Sequence, residues 1–339
     1  MEEKPDLVKD VDFQRVNWNY VLRRASFNRV EYIFALKLLN NRAILKSDNL
    51  TNTLHELISE SAVYLERLSA TLKFISTIFS NEEIPFLIVK TNKGIPYVTQ
   101  DVDVLVKLSD FAKAEDLLKQ AKGKRERDAN KHQSSMFLPG LLRIDLHKGF
   151  FWQGSSYLDA SVPWEDIRYE NVSGVRCPIP SVHVELLLTI AHTVGERLHI
   201  PYLEFMFVRN SSKEANWTTI INQAEKYSWR KSMFRFISIV NLLNRKLYPS
   251  EKKPLIDLQP NVANLLPRVN VHGSLSMPYM YPLQYTMEIF LERKPCMKIN
   301  DLISNLGYYL FATARYHYSG RLRVPIYNHW FNFDKTADL

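Results

Sequence analysis

Apolar positions in the first eighty residues recur at helical spacing. Leu65, Leu68, Leu72, Ile75 and Phe79 lie three or four residues apart, which places them on one stripe of a helix. Residues 27–45 are apolar in the same dense way. From about Ile84 the period changes. "PFLIVK" and "DVDVLV" are short β-rich runs, and "LSDFAKAEDLLKQAK" returns to a helical period with Ser109 as its expected N-cap and Phe111, Ala114, Leu117, Leu118 and Ala121 inward. The polar stretch "GKRERDANKHQSS" is expected to be a solvated surface loop. "MFLPGLLRIDLHKGFFW" follows as two strands joined at Pro139 and Gly140, and "IRYENVSGVRCPI" as a hairpin turning at Ser173 and Gly174. Helices resume after Pro180. "SVHVELLLTIAHTVGER" is expected to bury Val184, Leu187, Leu188 and Ala191, and "WTTIINQAEKYSWRKSMFRFISIVNLLNRKL" gives one or two more helices. The Pro-rich "YPSEKKPLIDLQP" then separates a last helical, aromatic and basic region.

This pattern divides the chain into a helical N-terminal segment (1–80), a core that mixes strands and helices (81–180), a helical subdomain (181–250) and a C-terminal region (251–339). The fold class expected is α+β: a mixed β-sheet core flanked by helices, with helical N- and C-terminal segments. No internal repeat is visible. At 339 residues the chain exceeds one ordinary domain and falls short of three. Two cysteines, Cys177 and Cys296, give neither a disulfide framework nor a CxxC metal knuckle. They fit a reducing compartment, and with no apolar run near the roughly 20 residues of a spanning helix the expected setting is cytoplasmic, without membrane insertion. The formal net charge of +8 admits a polyanionic partner, nucleic acid or nucleotide, without requiring one.

The candidate chemistry lies in "DVDVLV". Residues two apart on a strand share a face, so Asp101 and Asp103 project together. Two close carboxylates repel unless a cation intervenes, and hard oxygen ligands suit Mg²⁺ or Mn²⁺. On the sequence alone, neutralising either one, Asp101→Asn or Asp103→Asn, should relieve that repulsion and stabilise the metal-free fold. A third aspartate, Asp145, alternates with Arg143 and His147 in "LLRIDLHKG" and is placed to complete the cluster from a neighbouring strand. Asp10 and Asp12 repeat the spacing in a polar N-terminal stretch and receive no role.

In order and spacing, "LIVKT" (87–91), "DVDVLV" (101–106), "IDLHKG" (144–149) and "LLTIAHT" (187–193) resemble the polymerase-β-like nucleotidyltransferases. More narrowly they are similar to an uncharacterised nucleotidyltransferase family with "LLKG", "DIDLLV", "IDLHW" and "LHLALHA" motifs. The resemblance covers residues 60–250 or so. It implies that Asp101, Asp103 and Asp145 ligate Mg²⁺ or Mn²⁺, and that a nucleoside monophosphate passes from a triphosphate to a hydroxyl on RNA, protein or a small molecule. Lys90 would meet a phosphate. Where the superfamily carries a Gly-Ser or Gly-Gly pair this chain has "KTNKG", so Thr91 and Asn92 would form a variant phosphate cradle. Against the enzyme stands a non-catalytic module of the same fold that binds nucleotide or nucleic acid. His192 and His147 admit a substrate contact, although packing is the plainer role for each. Arg315, Arg321 and Arg323, interleaved with Tyr316 and Tyr318, would suit single-stranded nucleic acid or an ordinary core.

Overall fold

The computed structural model describes residues 13–41, 48–126, 133–152, 155–194, 200–251 and 254–256. Asp10, Asp12, Cys296 and the arginines and tyrosines at 315–323 lie outside them.

Three helices open the chain: α1 (Trp18–Phe27), α2 (Glu31–Leu39) and α3 (Asp48–Asn81). Asn17 caps α1 by accepting the Tyr20 N–H at 3.0 Å. With 34 residues, α3 is about 50 Å long, enough to serve two cores. Leu50 and Leu54 near its start pack with Leu22, Ala35 and Leu38 of α1 and α2. Leu68, Leu72, Ile75 and Phe79 near its end cover the sheet. The helical stripe read from the sequence is therefore the face that holds the sheet.

The sheet has the order β1-β2-β5-β4-β3, with β1 (Phe86–Val89), β2 (Asp101–Val106), β3 (Lys124–Arg125), β4 (Gln133–Phe137) and β5 (Arg143–His147). β2 and β5 run parallel, and the other neighbours are antiparallel. Helix α4 (Phe111–Gln120) follows β2 and begins the crossover to β5. Val102, Val104, Val106, Ile144 and Leu146 pack with α3 and with Ala114 and Leu118 of α4. The opposite face, which includes Leu87, Val89 and Leu105, meets a second core built from the C-terminal helices.

After β5 come the short strands β6 (Phe151–Trp152) and β7 (Ser155–Ser156), then the hairpin β8 (Ile167–Val172) and β9 (Val175–Pro180). Ser173 and Gly174 turn that hairpin with φ of +47° and +82°. Two successive left-handed residues match the twist of the flanking strands. Helices α5 (Val182–His192), α6 (Tyr202–Ser211), α7 (Trp217–Lys226) and α8 (Arg230–Leu247) complete the described chain. Phe205 and Phe236 are the bulkiest of their fully buried side chains, joined by Trp229 at the N-cap of α8. Among the described residues no helix is long and apolar enough to cross a membrane.

Three local readings change. The N-cap of α4 is Asp110, not Ser109, and neither side chain caps a helix amide; the Ser109 hydroxyl bonds the Asp110 carboxylate instead. The polar stretch expected as a loop is partly sheet. Lys124 and Arg125 form β3, and Gln133–Ser135 begin β4 with Ser134 and Ser135 buried, because their register sets them against Leu146 and Asp145. Inside the sheet the Ser134 hydroxyl donates to Glu115 at 2.6 Å, which satisfies a polar group that periodicity alone would leave in water. Helix α6 comes from a segment whose hydrophobic pattern did not mark it.

Candidate active site

The site begins with strand register. Parallel pairing of β2 with β5 sets Asp101 beside Arg143, Asp103 beside Asp145 and Leu105 beside His147. Neighbouring strands are about 4.8 Å apart, so Asp101 and Asp103 of one strand and Arg143, Asp145 and His147 of the other share a single face. That face is the one turned toward α5, since Leu105 and Val89 pack there.

The three carboxylates are held by cations of the chain itself. One guanidinium nitrogen of Arg143, Nη2, lies 2.6 Å from Asp101 Oδ2 and 3.0 Å from Asp145 Oδ2. Asp103 Oδ1 takes the Lys90 ammonium at 3.1 Å and His147 Nε2 at 2.7 Å. Asp103 and Asp145 are consequently shifted in opposite directions. Burial works to raise Asp103, but the charge of Lys90 and the hydrogen bond and charge of His147 outweigh it and hold this carboxyl far below the usual range. Burial and the charge of Asp103 push Asp145 up, and Arg143 offsets this only in part. Asp145 Oδ1 and Arg143 Nε are buried without a hydrogen-bond partner. Among the described residues no three His, Cys, Asp or Glu side chains are grouped to hold a metal ion. Arg143 and Lys90 are the counter-ions of the cluster as it stands.

Residues 90–100 form an irregular loop with no helix between β1 and β2. Lys90 ends β1 in the left-handed region, at φ +59°. Its N–H points to the Glu185 carboxylate, 3.1 and 3.2 Å from the two oxygens, while its side chain reaches Asp103. Thr91 is buried; its hydroxyl donates to the Val89 carbonyl at 3.1 Å and its carbonyl accepts from the Tyr97 hydroxyl at 3.0 Å. The Asn92 amide donates to Glu170, and its Oδ1 accepts the Gly94 N–H at 3.2 Å, an Asx turn closed by Gly94 at φ +72°. Of the three residues expected to cradle phosphate, Lys90 therefore reaches the aspartates, whereas the Thr91 and Asn92 side chains bond within the loop and to β8. Lys93 is buried, with its ammonium 3.0 Å from Glu204 and 2.8 Å from the Thr189 hydroxyl.

Sequence reasoning missed Glu185, Thr189, Lys93 and Glu204, and gave Arg143 no part. A signal for two of them existed. Glu185, Thr189 and His192 follow at i, i+4 and i+7, so they share one stripe of α5. His192 itself is half-buried at the end of that helix.

Burial raises the Glu185 carboxyl from 4.5 to about 7, although Lys93, the Lys90 amide, Arg168 and the Lys90 charge all pull it down. The folded state thus holds this proton more tightly than the unfolded chain. Its contribution to stability is fully present below pH 4.5 and is lost as pH rises through about 7. Glu185→Gln should flatten that fall in denaturation measured across pH, leaving the part due to Glu31, which burial raises in the same way, and to Asp145. An unchanged slope in the variant would show that Glu185 is ionised throughout.

Solved structures similar to the chain include an antibiotic-resistance factor, ANT(2'')-Ia, at 9% identity and a TM-score of 0.36, covering 47% of this chain and 91% of that one. A lincosamide antibiotic adenylyltransferase bound to lincomycin is similar at 13% identity and a TM-score of 0.30, over 41% of this chain and 94% of that one. An antigenic nucleotidyltransferase-like protein from Paracoccidioides brasiliensis is similar at 13% identity and a TM-score of 0.33, over 57% and 94%. No curated protein matches in sequence. A family described as an uncharacterised nucleotidyltransferase matches residues 14–244, well over half of the 339 residues. The mixed sheet with Asp101, Asp103 and Asp145 on one face lies wholly inside that span, and the chain belongs to this nucleotidyltransferase family.

Proposed function

We propose that the protein transfers a nucleoside monophosphate from a nucleoside triphosphate to a hydroxyl acceptor, with Mg²⁺ or Mn²⁺ held by Asp101, Asp103 and Asp145. The observation that carries this reading is the β2–β5 register, which gathers three carboxylates on one face beside a lysine and an arginine. The donor set suits a hard divalent cation: the ligating atoms are carboxylate oxygens, and Asp145 Oδ1 has no partner of its own. A bound dication would supply positive charge to the triphosphate oxygens. For Asp101 and Asp145 to serve as ligands, Arg143 gives up the oxygens it bridges and is freed to meet phosphate.

The residues of the chain then divide the work. Lys90 offers a point charge to the triphosphate at the edge of the cluster. Asp145, on the strand beside Asp103, takes the proton of the attacking hydroxyl. A bond forms between the acceptor oxygen and the α-phosphorus, the bond from that phosphorus to the β-phosphate bridge breaks, and pyrophosphate leaves with the electron pair.

One observation favours the non-catalytic reading. Arg143 already neutralises Asp101 and Asp145, and the Thr91 and Asn92 side chains are engaged within the protein. Incubation with α-labelled triphosphates, Mg²⁺ or Mn²⁺ and separate RNA, protein and small-molecule fractions decides between the two. Label on one fraction names the donor and the acceptor class together. Binding of triphosphate without label transfer to any fraction would support the binding module.

A further inference from the structure

The Lys90 backbone is left-handed without being glycine, at the point where β1 ends and the loop to the aspartates begins. A side chain resists that conformation, so something outside the residue has to hold it. The structure shows one such holder. Both oxygens of Glu185, at 3.1 and 3.2 Å, face the Lys90 N–H, 95 positions away in sequence. Glu185 is buried on a helix whose other buried side chains are Val184, Leu186, Leu187, Leu188, Thr189, Ile190 and Ala191. Packing alone would favour another apolar residue there, because a carboxyl without partners is costly to bury. One turn further along the same stripe, the Thr189 hydroxyl accepts the Lys93 ammonium, so α5 grips the loop at two places three residues apart.

We propose that Glu185 is a positioning residue: by accepting the Lys90 N–H it fixes the left-handed turn that carries the Lys90 ammonium to Asp103. The inference rests on the transferase reading for its purpose, since Lys90 is the side chain offered there to triphosphate. A carboxylate reaching in from α5 would thereby do for this loop what a glycine does for others, by making a strained backbone conformation the stable one. Either protonation state leaves an oxygen free to accept, so the hold does not depend on charge.

Two measurements on the full chain test this. The first is hydrogen exchange at the Lys90 amide. Glu185→Ala should speed it by about tenfold or more, and Glu185→Gln, which keeps a carbonyl acceptor, should restore most of the protection. Glu185→Leu fills the same volume without an acceptor and serves if the alanine variant does not fold. The second is binding of inorganic tripolyphosphate with Mg²⁺. Glu185→Ala should weaken it about as much as Lys90→Ala, and the double variant should be no weaker than Lys90→Ala alone, as expected when one residue acts through the other. Unchanged exchange in both the alanine and leucine variants overturns the proposal, as do losses of binding that simply add. A wild-type chain that does not bind tripolyphosphate defeats the transferase reading instead, while the exchange measurement still decides what Glu185 does.

Discussion

Asp103→Asn is expected to lower nucleotidyl transfer by about 100-fold or more, on the scale of losing one preorganised charge contact in an active site, and also to destabilise the fold. The second effect reverses what the D-x-D spacing implies by itself. Read as a strand, Asp101 and Asp103 repel, and neutralising either relieves the strain. In the structure Asp103 is the anion that two donors share, Lys90 at 3.1 Å and His147 at 2.7 Å, and its carboxyl is held far below the usual range. An amide would leave the Lys90 ammonium uncompensated in a largely buried place, at a cost of about 1–3 kcal/mol.

Asp145→Asn should be equally inactive and have the opposite sign in stability. Burial and the charge of Asp103 raise this carboxyl, so its ionised form is the unfavourable one and a neutral amide removes the penalty. Denaturation of both variants at neutral pH, beside an assay of label transfer, checks the pair. Transfer that survives in both variants would show that the carboxylate cluster is not where the chemistry happens. Stabilisation by Asp103→Asn would show that Lys90 and His147 do not hold Asp103 as described, and destabilisation by Asp145→Asn would show that its ionised form is not the unfavourable one.

Addition of a nucleoside triphosphate with Mg²⁺ is expected to raise the melting temperature by several degrees. At about a hundred times the dissociation constant, a ligand that binds only the folded state adds about 2.7 kcal/mol. For a chain of this size that is a shift of several degrees. Mg²⁺ alone should do less, because the carboxylates and the triphosphate together provide its oxygen ligands, and because it has to displace Arg143 from Asp101 and Asp145 without phosphate to receive the guanidinium. Lys90→Ala should reduce the triphosphate shift without lowering the Mg²⁺ one, since an ammonium cannot ligate a cation and its removal frees Asp103 Oδ1 for the metal. If none of the four common triphosphates moves the midpoint with Mg²⁺ or Mn²⁺, the transferase reading fails, and a module that keeps the fold with Arg143 as a permanent counter-ion takes its place.

The sequence by itself determined the elements whose signal is periodic, and with them the sharing of one face by Asp101 and Asp103. A period of two needs no partner strand to say where side chains point, and Asp145, Arg143 and His147 are related by the same rule. The stripe Leu68, Leu72, Ile75 and Phe79, the hairpin turn at Ser173 and Gly174, and β1, β2 and β5 were legible for the same reason: each is written in residues close together along the chain. The order and spacing of the motifs carried the family as well, since they sample four such elements at once.

Only the tertiary structure decided what the carboxylates hold. Strand order and register are set by packing over long separations, and they alone put Asp103 level with Asp145 and Asp101 level with Arg143. No local pattern predicts that one guanidinium spans two aspartates, or that Asp103 and Asp145 are driven in opposite directions by their neighbours. Ser134 and Ser135 were hidden in a polar run because their burial follows from β5 beside them. The loop "KTNKG" was the least legible stretch. Glu185 holds its backbone at Lys90, and Thr189 and Glu204 hold its Lys93 ammonium; all three arrive from about a hundred residues further on, two from a helix whose pattern reads as apolar and one from a segment whose pattern marks no helix. A hydrogen bond between such distant partners is a fact of three dimensions, and it is what turns Lys90 toward the aspartates.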